Sequence, residues 1–183
     1  MSKKDFLKLI QEQRKKSKKE KFSGTFVEFL ERVKEDPSIA DSSHKKLYDV
    51  ISSKGVSTMP DSDSRKSKIF ENENIKIYDY FKEEFFGAEK VVSKIMRFLK
   101  SAAAKGEESR QVLLLMGPVG AGKSAITEHI KKSLEGESYY HIEGDPQRGN
   151  PLQLIPRSLR EDFSKLLEVD IDGEISPPVR YKL

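Results

Sequence analysis

The stretch Gly117-Pro118-Val119-Gly120-Ala121-Gly122-Lys123-Ser124 limits what this chain can fold into more than any other. It satisfies G-x-x-x-x-G-K-[ST], the Walker A or P-loop pattern, at every fixed position. The apolar run Val112-Leu113-Leu114-Leu115-Met116 precedes it and has the character of a strand covered on both faces. After it, Ala125, Ile126, Ile130 and Leu134 recur at helical spacing. The sequence therefore predicts strand–loop–helix, the setting the pattern requires.

The residue types follow from what such a loop would hold. Backbone N–H groups wrap a phosphate chain, so the backbone must come close. Gly117, Gly120 and Gly122 keep that approach clear. The first helical turn, which includes Ala125, adds unpaired N–H donors and the positive end of the helix dipole. Lys123 supplies a mobile charge for the β- and γ-phosphates, and the Ser124 hydroxyl suits a Mg²⁺ ligand. Pro118, Val119 and Ala121 fill the variable positions. Residues 117–125 are the expected nucleotide site, with ATP and Mg²⁺ as expected cofactors. The competing reading is a glycine-rich turn with a chance lysine, and the flanking strand and helix patterns weigh against it.

A chain of 183 residues suffices for one ordinary domain, or for a small domain and part of another. Charged residues make up 35%, and mean hydropathy is −0.65, which suggests much helical surface or irregular chain. The net charge is only +4, and much of it is gathered between Arg14 and Lys21. So small an excess does not point to nucleic acid, and a solvated helix or arm is the favoured reading of that run. The absence of cysteine excludes disulfides, thiolate zinc sites and a cysteine nucleophile. No apolar run approaches the ~20 residues of a membrane span, and no apolar stretch follows the N-terminal charges as in a secretory signal. A cytoplasmic protein with no membrane partner is the expectation.

Along the chain, Thr25 and Glu28 form a capping box ahead of the stripe Phe26, Phe29, Leu30 and Val33, and Asp36-Pro37 stops that helix. A second helix starts near Ser42 or Ser43, presents Leu47, Tyr48 and Ile51, and ends at Gly55. Residues 1–55 thus read as a small helical module with a basic arm. Residues 56–74 are polar and read as a linker. Residues 75–183 read as the nucleotide domain. There, Ile75, Ile77, Tyr80 and Phe81 suggest extended chain, and Phe85-Phe86-Gly87 leads into a strong helix with Val91, Val92, Ile95, Met96 and Leu99. Tyr139-Tyr140-His141-Ile142 reads as a second strand, and Leu159, Phe163, Leu166 and Leu167 as a last helix.

Binding groups are visible, and a hydrolytic half is not. No apolar strand ending in acids follows Ser124. Glu143 and Asp145 close the second expected strand, where turn chemistry explains Gly144-Asp145-Pro146 better than metal binding. His44, His129 and His141 lack ligand spacing and read as surface or strand residues. A small-molecule kinase would need a lid rich in arginine, for which Arg148, Arg157 and Arg160 make a thin case. The catalytic residues are left unassigned.

The loop in the form Leu-Leu-Leu-Met-Gly-Pro-Val-Gly-Ala-Gly-Lys-Ser resembles the AAA+ type, and Phe85-Phe86-Gly87 resembles the AAA+ segment that packs on adenine. More specifically, the chain resembles the PrkA serine protein kinase family. Gly24-Thr25-Phe26, Phe86-Gly87, the loop, Tyr140, Gly144, Pro146, Pro151-Leu152, Leu154-Ile155-Pro156 and Leu159-Arg160 carry the likeness. It departs at Asp145, where the family tends to have cysteine. The resemblance implies an α/β fold: a partial P-loop NTPase (AAA+-like) domain behind the helical module, forming the N-terminal portion of a longer protein. It implies ATP binding, with Phe86 and Gly87 at the base, and phosphoryl transfer to a serine of a protein substrate in the parent. Alternatives are an AAA+ ATPase driving remodelling or proteolysis, as a homo-oligomeric ring, and a non-enzymatic nucleotide-binding fragment. The AAA+ sheet would flank the loop strand with later strands, so residues 112–116 are expected to be short of partners here.

Overall fold

The computed structural model describes residues 22–71 and 73–181. In chain order these form helices α1 (Phe26–Glu35) and α2 (Ser43–Ser52), strand β1 (Val56–Thr58), helix α3 (Ser64–Lys68) and strand β2 (Lys76–Tyr78). Helices α4 (Asp79–Lys82), α5 (Glu89–Ala103), α6 (Lys123–Ser133), α7 (Arg160–Leu167) and α8 (Pro177–Arg180) follow. The described parts of Met1–Ala40 and Tyr140–Leu183 make one compact unit, and Asp41–Tyr139 makes the other. The Arg14–Lys21 basic run lies outside the described residues.

In the first unit, the capping box sets the start of α1. The Thr25 hydroxyl accepts the Glu28 N–H, and the Glu28 carboxylate accepts the Thr25 N–H at 2.6 Å. That start turns Phe29 and Val33 inward, where they bury against Leu152, Ile155, Leu167 and Ile171. Asn150 caps the short 3₁₀ turn Pro151–Leu154, as Asn-Pro at a helix start implies.

In the second unit, α5 is the central element. Val92, Ile95, Met96, Leu99 and Ala102 form its buried stripe, spaced to one face. Ile51 of α2, Tyr78, Phe81 and Ile126 of α6 close on that stripe. Strands β1 and β2 pair antiparallel, with Val56 opposite Tyr78. Residues 56–74, read above as a linker, hold β1 and α3, and bury Met59 and Phe70 beside Ile75. Two apolar anchors are enough to draw a polar segment onto the domain, which a composition average conceals.

Two expected strands are absent. Residues 112–116 and 139–142 are irregular chain. An apolar run acquires strand structure only by pairing, and among the described residues β1 and β2 are the only paired strands. Val112, Leu114 and Met116 are accordingly 91%, 71% and 84% exposed, while Leu115 leans on the α5 core. The described residues are thus helix-rich with one small sheet.

Candidate functional site

The glycine loop stands open to solvent. Residues 117–121, Ser124 and Ala125 are exposed, and Gly122 and Lys123 are half-buried. Gly120 and Gly122 take φ of +82° and +75°, the left-handed region where a side chain is strained. A Cβ at either would meet nothing within 4 Å, so backbone conformation rather than crowding calls for glycine there. Gly122 is the N-cap of α6, and no side chain caps that end. The first N–H groups of α6 therefore have no intrahelical acceptor and face the loop side. Ile126 is buried and anchors this end of the helix, its N–H bonded to the Gly122 carbonyl.

Lys123 folds over the loop. Its Nζ donates to the carbonyls of Gly117 at 2.8 Å and Pro118 at 2.6 Å. Ser124, one residue on, is exposed. No cluster of three or more His, Cys, Asp or Glu suited to a metal occurs among the described residues. A magnesium ion in this place would take Ser124 as its protein ligand and complete its shell with water and phosphate oxygens. Mg²⁺ tolerates such a set, because it keeps several waters and binds through few protein groups.

Phe86 and Gly87 sit between α4 and α5. Phe86 is 81% exposed, and the Arg65 guanidinium lies over its ring, 4.7 Å from the centroid. Gly87 has φ +83° and open space where a Cβ would point. A small cleft next to this segment is lined by Ile77, Tyr78, Phe81, Phe85, Glu89 and Val92.

The sequence reading missed two residues here. His129, read as a surface or strand residue, is buried on α6 within a ring of Tyr80, Phe81 and Phe85. Its place three positions after Ile126, on the buried face, was the available signal. Arg65, from the expected linker, binds Glu89 at 2.6 Å and Asp63 at 2.7 Å. Those bonds, with Asp63 first, hold its guanidinium pKa above even the usual arginine value.

Of the two acids beyond the loop, Asp145 behaves as turn chemistry requires. Asp145 is buried and accepts from the N–H groups of Gln147 and Gly149 and from the Ser176 hydroxyl at 2.8 Å. Arg160 donates to the carbonyls of Ile155 and Gly173, and Arg157 pairs with Glu174. These arginines hold their own unit together. No described helix is long and apolar enough to cross a membrane.

Residues 24–183 match the family model described as PrkA AAA domain. The ATP-dependent protease PrkA of Bacillus subtilis is 34% identical over 180 residues, which is 94% of this chain and 26% of that protein. The serine/threonine kinase YeaG of Escherichia coli K12 is 35% identical over 126 residues, covering 68% of this chain and 19% of that protein. A mitochondrial Lon protease homolog of Yarrowia lipolytica is 34% identical over 61 residues, 33% of this chain and 5% of its own length. The chain thus spans about a quarter or less of these relatives. No solved structure matches it. The chain belongs to the PrkA AAA domain family.

Proposed function

We propose that residues 117–125 hold the phosphates of ATP, and that the chain is the nucleotide-binding portion of a PrkA-type protein with a P-loop NTPase fold. The open loop carries this reading: exposed amides run directly into the uncapped N-terminus of α6, with Lys123 at its first position. Lys123 would exchange two neutral carbonyls for β- and γ-phosphate oxygens, which are stronger acceptors because they are charged. The Ser124 hydroxyl would hold Mg²⁺, which when bound supplies neutralisation of phosphate charge. Phe86 offers a ring face to the base, and Gly87 offers bare backbone.

In the whole protein we assign phosphoryl transfer to protein serine, in line with the name of the Escherichia coli relative. A second reading is favoured by the Bacillus relative, which matches more of this chain and is named an ATP-dependent protease. Under it, the domain is an AAA+ ATPase working in a homo-oligomeric ring to power proteolysis. Titration of this chain with ATP, with and without Mg²⁺, tests what the two readings share. Saturable, Mg²⁺-strengthened binding is expected, and no binding would end both. In the full-length protein, labelled phosphate appearing on protein serine supports the kinase. ATP-dependent peptide cleavage without such labelling supports the protease.

A further inference from the structure

Tyr80 and His129 exchange two hydrogen bonds. The His129 Nε2 lies 2.9 Å from the Tyr80 carbonyl oxygen, which can only accept, so Nε2 carries the proton. The Tyr80 hydroxyl donates back to the His129 carbonyl at 2.8 Å. Burial first, then the charges of Glu84 and Glu135, push the Tyr80 phenol pKa up. The ring centroids of Tyr80, Phe85 and Phe81 stand 4.3, 5.2 and 5.4 Å from the imidazole, which is only 8% exposed. Glu84 Oε2 is 2.9 Å from Nδ1 but outside hydrogen-bond alignment, so it acts there as a neighbouring charge.

The two ends of this pair belong to different parts of the candidate site. His129 rides on α6, whose first residue is Lys123. Tyr80 opens the segment that runs through Phe85 to Phe86 and Gly87. Each bond runs from one residue's ring to the other's backbone carbonyl, so together they tie the main chain of each segment to a buried ring of its partner. We infer that His129 is a positioning residue that sets the distance between the phosphate-side helix and the base-side segment, so that the site measures a nucleotide by its base as well as its phosphates. This rests on the nucleotide reading above.

Wild-type, His129→Phe, His129→Gln and Tyr80→Phe chains are titrated with Mg-ATP and with inorganic tripolyphosphate. His129→Phe keeps a ring among the aromatics and loses the donor. It is expected to weaken ATP roughly two- to tenfold, the effect of one hydrogen bond, and to leave tripolyphosphate unchanged. His129→Gln, whose amide N–H reaches toward the Tyr80 carbonyl, is expected to restore most of the ATP affinity. If His129→Phe does not fold, Tyr80→Phe tests the same clamp through its other bond. Equal loss for both ligands, or no loss for ATP, overturns the inference and leaves the nucleotide reading standing. Wild-type chain that binds neither ligand overturns both.

Discussion

The Lys123 ammonium donates to the Gly117 carbonyl at 2.8 Å, closing the loop on itself from the first residue of the helix that follows. The same group is the one we assign to phosphate. Lys123→Ala removes a charge-assisted donor, a contact of ~1.5–3 kcal/mol, so Mg-ATP affinity is expected to fall roughly ten- to hundredfold. Lys123→Arg is expected to recover little, because a planar fork does not replace a compact ammonium. The side chain is only half-buried, so the melting free energy should move by no more than ~0.5 kcal/mol. Calorimetric titration beside a thermal melt separates the two effects. Unchanged affinity in Lys123→Ala would remove the loop from the site.

The α1 cap gives a pH prediction. The Thr25 backbone N–H first, and then its hydroxyl, hold the Glu28 carboxyl below its ordinary 4.5. A carboxyl depressed in the folded state contributes stability above its ordinary pKa, and that contribution is lost as pH falls through the folded value. Wild-type chain should therefore weaken on acidification below about 4.5, and Glu28→Gln should flatten that part of the profile. Thr25→Ala removes the N-cap and is expected to cost about 1 kcal/mol at neutral pH. Denaturant melts across pH check both, and parallel profiles for wild type and Glu28→Gln would refute the assignment.

What was legible in the sequence was local. Thr25 with Glu28 fixed the start of α1, the Val92–Leu99 spacing fixed the buried face of α5, and Asn150-Pro151 marked a helical start. Each depends on neighbours within a turn or two. The glycine and lysine pattern of the loop is local in the same way. The expected strand at 112–116 failed because pairing is not local: five apolar residues say what a strand would bury but not whether a partner lies alongside. His129 and Arg65 escaped notice because their partners, Tyr80 and Glu89, are distant in sequence. The spacing of His129 after Ile126 reports its burial but not its partner, and nothing local in a polar segment reports the contact of Arg65.

The exposed run at 112–116 has a consequence in solution. Val112, Leu114 and Met116 present large apolar side chains to water, beside backbone that no described strand pairs. Unpaired extended backbone with apolar side chains is a template for association. The chain is expected to self-associate as concentration rises, and Leu114→Lys should shift sedimentation toward the monomer. Since Leu114 is already 71% exposed, that substitution should leave stability within ~0.5 kcal/mol. Sedimentation velocity over a concentration series is the measurement, and a wild-type chain that stays monomeric throughout would refute the expectation.

Arg65 and Glu89 give the last prediction. Glu89 offers one carboxylate oxygen to Arg65 at 2.6 Å, and its other oxygen is buried without a hydrogen-bond partner. Glu89 therefore depends on Arg65 to offset the cost of leaving water. Arg65 is less dependent, since Asp63 also binds it and its guanidinium rests on Phe86. Arg65→Ala leaves a half-buried carboxylate unpaired and is expected to cost on the order of 1–3 kcal/mol. Glu89→Leu removes the carboxylate itself, next to the apolar Val92 and Phe85, and should cost less. The double variant should then be more stable than the sum of the two losses implies, because its second change removes the group that the first stranded. A double-mutant cycle by denaturant melt measures that coupling. Strictly additive costs would mean that the pair is a surface contact with no hold on the segment that carries Phe86.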